Sequence, residues 1–139
     1  MNVSPESLAI LNELRDMVAK NAEDKGFRAQ MRDLMTPEQW EGQLGQLLRA
    51  AVYTANQHGE SSEFWEAFRG GNLHKPCDKA EKMVALGLPS LTAAEEEIAD
   101  EIIRALDKAD AHKADVAKAV SVKMLYNATR PSLHGGKKA

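Results

Sequence analysis

Glu60-Ser61-Ser62-Glu63-Phe64-Trp65-Glu66 and, later in the chain, Glu95-Glu96-Glu97-Ile98-Ala99-Asp100 decide how this sequence is read. Each stretch carries two carboxylates three residues apart, Glu60 with Glu63 and Glu97 with Asp100. On an α-helix that spacing puts both side chains on one face, about 60° apart around the axis and about one turn along it. If the two helices face each other, the four carboxylates converge on one cleft. Like charges gathered in a partly dry cleft need neutralising. A hard divalent cation with oxygen ligands does this, and Mg²⁺ is the expected ion, with Mn²⁺ as a substitute. Taken alone, each pair is also what a solvated helix face carries. Phe64, Trp65 and Phe68 beside the first pair, and Ile98 and Ala99 within the second, argue against simple solvation.

Composition agrees with a helical chain. The 139 residues suit one domain and are 43% hydrophobic and 28% charged, enough apolar material for a core. Ala, Leu, Glu, Lys, Arg and Met dominate, all good helix formers, and β-branched runs are absent. A net charge of −3 disfavours non-specific nucleic-acid binding. A single cysteine, Cys77, excludes an internal disulfide framework and a cysteine-based zinc site. No apolar run reaches the ~20 residues of a membrane span, and no signal-peptide pattern opens the chain, so a cytoplasmic protein is expected. None of the four histidines forms Glu-x-x-His, which disfavours a di-iron carboxylate bundle.

Working outward from the acidic stretches, the chain reads as an all-α bundle of four to five helices. Ser4-Pro5 caps and opens a first helix that Gly26 stops. The link from Phe27 to Met35 has room for a short helical turn. Thr36-Pro37-Glu38-Gln39 is a capping-box start for a helix running to Gly70-Gly71. It carries Trp40, Leu44, Leu47, Leu48, Ala51, Val52 and Ala55 on one face, and either runs on through His58 and Gly59 or bends or breaks near Asn56 to Gly59. Gly70 to Ser90 reads as a loop or lid with a short helix from about Cys77 to Leu86. Ser90 or Thr92 caps the next helix, with Glu95 at the capping-box position, and that helix extends to about His112. A last helix spans about Ala114 to Thr129, with Ala117, Val120, Met124 and Leu125 toward the core, and Arg130-Pro131 ends it. Residues 1–131 form the expected domain, and 132–139 a mobile basic tail whose Lys137 and Lys138 could close over an anion.

Lys123, Asn127 and Arg130 share a face of the last helix and suit phosphate oxygens, although a basic helix end also simply answers the helix dipole. The long Leu44–Ala55 apolar stripe exceeds what one short bundle need bury, so a homodimer or homotetramer is expected.

The order of these motifs resembles the MazG-like all-α nucleoside triphosphate pyrophosphohydrolases. Asp24-Lys25-Gly26-Phe27 is similar to that family's turn after the first helix, and Glu60 to Arg69 to its first metal motif. Glu96 to Asp100 resembles the second, and Lys123, Asn127, Arg130-Pro131 and Gly135-Gly136-Lys137 its phosphate-side pattern. The segment between the acidic pairs is longer than the family pattern. The resemblance implies Mg²⁺-dependent cleavage of a nucleoside triphosphate, a deoxynucleotide by preference, to monophosphate and pyrophosphate in nucleotide-pool house-cleaning. It implies that Glu60, Glu63, Glu97 and Asp100 hold the metal, with one of them or Glu66 orienting the attacking water. Lys123, Asn127, Arg130 and, more weakly, Lys25 would then bind the substrate. Two other readings stand beside it: a non-enzymatic helical interaction module, and a related pyrophosphohydrolase acting on phosphoribosyl-ATP.

Overall fold

The computed structural model describes residues 3–131. The tail from residue 132 onward, with its Gly-Gly-Lys-Lys run, lies outside them. Helix starts follow side-chain capping. The first helix, α1 (Pro5–Asp24), begins where the Ser4 side chain accepts a hydrogen bond from the Ser7 amide. Gly26, at φ 76°, supplies the left-handed turn that ends it, a conformation in which any Cβ is strained. The Phe27–Met35 link holds the short helix α2 (Phe27–Arg32). Thr36 and Gln39 form a complete capping box at the start of α3.

The long helix expected from Thr36 to Arg69 is divided, and not where the sequence suggested. No break occurs between Asn56 and Gly59. Instead α3 (Pro37–Glu41) stops at Gly42, whose extended backbone (ψ −170°) starts a new helix, α4 (Gln43–Arg69). The close approach at Gly45 accounts for this corner. A Cβ there would lie 2.0 Å from the Trp40 carbonyl oxygen, so only glycine lets the two helices meet. Arg49 fastens the corner, donating from Nη1 to the Trp40 carbonyl at 2.9 Å and lying 4.3 Å over the Trp40 ring. A Cβ added at Gly59 would meet nothing within 4 Å beyond its own helix backbone, and Gly59 sits in continuous helix.

After α4 the chain is irregular but tied down. The short helix is Ala80–Ala85 (α5), narrower than the expected Cys77–Leu86, because residues 75–77 pair with the approach to the next helix instead. The Cys77 amide donates to the Leu91 carbonyl at 2.9 Å, and the Ala93 amide to the Lys75 carbonyl at 2.9 Å. Thr92 and Glu95 then form the capping box of α6 (Ala93–Ala111). Asp115 caps α7 (Val116–Ala128) through a bond from the Lys118 amide. The described residues thus hold seven helices, of which α1, α4, α6 and α7 are long; the others span five or six residues each. The all-α class holds, with more and shorter pieces than a four- to five-helix count, because Gly26 and Gly42 cut the chain. Among the described residues no helix is long and apolar enough to cross a membrane.

Packing centres on α4 against α6, with α1 also on α6 and α7 on α1. The buried apolar set is small and mostly alanine: Ala22, Tyr53, Cys77, Ala80, Ala93, Leu106 and Ala117. Charge does much of the joining. Arg28 reaches from α2 to Asp107 and Asp110 on α6, at 2.5 and 2.7 Å. Lys108 on α6 donates to Gln57 on α4. The expected inward face of α7 is rotated: Val116, Ala117 and Ser121 turn inward, while Val120, Met124 and Leu125 are exposed. Small side chains at Ala117 and Ser121 let α7 lie close on α1, which leaves its large residues outside.

Two glycine substitutions should therefore move stability in opposite directions. Gly45→Ala, which collides with backbone, is expected to cost about 2 kcal/mol or more. Gly59→Ala, in open helix interior, is expected to stabilise by about 0.5–1 kcal/mol. Urea unfolding of both variants against the parent chain measures the pair.

Candidate metal centre

The α4–α6 seam brings the two acidic stretches together. Glu60 and Glu63 stand one turn apart on α4, and Glu97 and Asp100 one turn apart on α6. Carboxylate oxygens of Glu60, Glu63 and Glu97 all lie within 4.8 Å of one another. Asp100 lies beside this trio rather than in it, and the charge of Glu60 reaches it.

The environments of the four differ. Glu60 is buried, and the Arg104 Nε donates to its Oε1 at 2.6 Å, so its charge is compensated. Glu63 is exposed and lies at the rim, whereas Glu97 is half-buried. The Glu97 Oε2 is buried with no hydrogen-bond partner among the described residues. An orphaned carboxylate oxygen is costly when ionised. Burial first, and then the neighbouring charges of Glu63 and Glu96, push the Glu97 carboxyl up to about 7. Burial and Glu60 also raise Asp100. Lys79 opposes both shifts. It reaches in from the segment before α5 and pairs with buried Glu96.

This donor set fits a divalent cation. The ligands are all carboxylate oxygens, the preference of Mg²⁺ or Mn²⁺. Glu97 retains a buried oxygen that a cation would satisfy, and Glu60 is held in place by Arg104. Arg104 and Lys79 are the two residues at this centre that the sequence reading passed over. Arg104 was findable: it follows Asp100 by four and Glu97 by seven, and so shares their helix face. Lys79 had no such signal, since it enters from an irregular segment 17 residues before Glu96.

The phosphate-side residues are placed differently. Lys123, Asn127 and Arg130 are exposed on or just after α7, which packs on α1. Lys123 lies 4.9 Å over the Tyr126 ring. Lys25 is exposed at the end of α1. Among the described residues, no hydrogen bond or ion pair links any of these to the carboxylates. Compared with protein-family models, curated proteins and solved structures, the chain has no match.

Glu97 sets a pH dependence whose sign follows from its shift. Folded, it keeps its proton to about 7, against 4.5 for an ordinary glutamate. The folded chain therefore binds more protons than the unfolded one in that window, and this contribution to stability is lost as pH rises through it. A cation bound at Glu97 would compete with the same proton. In the metal-free chain, the melting temperature should fall between pH 4.5 and about 7, and the rise produced by Mg²⁺ should be greatest above that window. Glu97→Gln should flatten both trends. Differential scanning calorimetry across pH, with and without Mg²⁺, provides the check.

Proposed function

We propose that this chain is a Mg²⁺-dependent pyrophosphohydrolase of the MazG-like type, cleaving (deoxy)nucleoside triphosphates to monophosphate and pyrophosphate. The observation that supports it is the meeting of Glu60, Glu63 and Glu97 from two helices around a buried, unpartnered carboxylate oxygen. The sequence motifs supplied those residues in the order the resemblance implies.

Phosphoryl transfer asks the protein mainly for positioning and charge neutralisation. A bound divalent cation would supply the second and lower the pKa of a coordinated water. Glu60, fixed by Arg104, and Glu97 would hold the cation from the two sides of the seam, with Glu63 and Asp100 completing the set. The water oxygen bonds to phosphorus as the α–β anhydride bond breaks, and pyrophosphate leaves with the bridging oxygen. The water's proton passes to a carboxylate, either one of these or Glu66. Glu66 is exposed and lies 3.5 Å from Arg69. Lys123, Asn127, Arg130 and Lys25 are proposed as substrate contacts.

The proposal includes a homodimer or homotetramer. Leu44, Leu47, Ile98, Ile102, Val122 and Tyr126 are among the exposed large residues that a second copy would cover.

Product analysis tests the reaction. Each deoxynucleoside triphosphate, incubated with Mg²⁺, should give monophosphate and pyrophosphate, with no turnover in chelator. Glu63→Gln should lose at least about a hundredfold in rate. Diphosphate plus orthophosphate, or metal-independent turnover, would contradict it. Separately, light scattering on the eluted protein should show at least twice the chain mass, and a monomer would remove the assembly claim.

A further inference from the structure

Away from the carboxylates, the corner between α3 and α4 borders an open cavity of about 670 Å³. Its walls come from the end of α1, α2, the end of α3, the first turns of α4 and the end of α6. Arg49, on this wall, precedes Glu60 on α4 by eleven residues, about 16 Å along the axis, so cavity and metal centre are separate places.

The lining is charged, and its pairing is incomplete. Of its cations, Arg28 is taken by Asp107 and Asp110, and Arg32 by Glu23. Arg49 and Lys113 form no ion pair among the described residues. Arg49 is nevertheless fixed, between the Trp40 carbonyl and the Trp40 ring. Its guanidinium is thus oriented before any ligand arrives, and a pre-oriented guanidinium suits phosphate oxygens.

Lys113 is the second, independent sign. It occupies the position after α6 where the chain turns left-handed, at φ 54°, the one such non-glycine among the described residues. The Ala114 amide bonds the Ala109 carbonyl at 2.8 Å and the Lys113 amide the Asp110 carbonyl at 2.9 Å, a helix stop that glycine normally fills. A lysine held there at a backbone cost, on the wall of a cavity, points to use of its charge.

We propose that this cavity binds a small phosphate-bearing anion, with Arg49 and Lys113 as its cationic contacts and Trp40 as its aromatic wall. Glu41, a carboxylate on the same wall with no ion pair among the described residues, narrows the choice by repelling an anion that fills the whole space. A ligand with its charge concentrated at one end fits this asymmetry better than a uniformly charged one.

The test follows the two indole N–H signals by NMR in chelator, where the metal centre cannot hold a phosphate through Mg²⁺. The probes are inorganic pyrophosphate and a nucleoside monophosphate. The Trp40 signal should shift saturably and the Trp65 signal, close to Glu63, should not. Equal affinity for both probes would support a phosphate site alone, and preference for the monophosphate would support a phosphate site with ring contact at Trp40. Lys113→Gly, which relieves the left-handed strain, should melt no lower than the parent chain yet bind about tenfold more weakly. Arg49→Gln should weaken binding similarly, and Glu63→Gln should leave it unchanged, which separates this claim from the hydrolase reading. A Trp40 signal that does not move, movement of Trp65 alone, or unchanged affinity in Lys113→Gly would overturn it.

Discussion

The seam between α4 and α6 must hold Glu60, Glu63, Glu97 and Asp100 close together, and the surrounding structure answers that constraint. In an ordinary helix pair the contact face is apolar, and burial of Leu or Ile supplies the stabilisation. Here Glu60 is buried against Arg104, Glu96 against Lys79, and Gln57 is bonded by Lys108. Arg104 and Lys79 each offset a carboxylate, but Glu97 keeps one buried oxygen unanswered among the described residues. Replacing such a network by apolar residues is commonly neutral or stabilising, so retaining an incompletely satisfied one calls for a reason other than stability. The proposed cation at the centre would supply such a reason.

The same economy explains the thin core. With charged residues on the seam and alanines at Ala93, Ala117 and Ala22, the helices approach closely but bury little apolar area. Leu106 and Tyr53 are the large residues that are buried, and both lie toward the end of the seam away from the carboxylates. Stabilisation by apolar burial is thus concentrated at one end and the charged chemistry at the other. The pinned segment before α6 adds backbone bonds and Lys79 at the charged end, where side-chain packing is poor. A segment tied in this way serves as a wall of the centre rather than as a freely swinging lid.

Much of the fold was legible because local chemistry determines helix ends. Ser4, Thr36 and Thr92 cap where their spacing to Ser7, Gln39 and Glu95 indicates. The break at Gly42 was not legible, since Gly59 is as plausible a breaker by propensity. What separates them is the Trp40 carbonyl, which stands where a Cβ at Gly45 would be, 2.0 Å from it, a close approach with no signature in propensity. The orientation of α7 was misread for a related reason: two small residues, Ala117 and Ser121, decided the contact over the larger Val120 and Met124. At the site, spacing alone gave the carboxylate pairs, because three residues on a helix fix a shared face. It could not give Lys79, which arrives from another segment, nor separate Asp100 from the trio.

Anomalous diffraction from crystals grown with Mn²⁺ and a non-hydrolysable nucleoside triphosphate tests the central claim most directly. The metal reading predicts a strong peak between α4 and α6, at coordination distance from Glu60 and Glu97 and bridged to the phosphates. A well-ordered ligand with no peak at that seam, or Mn²⁺ held elsewhere, would contradict it.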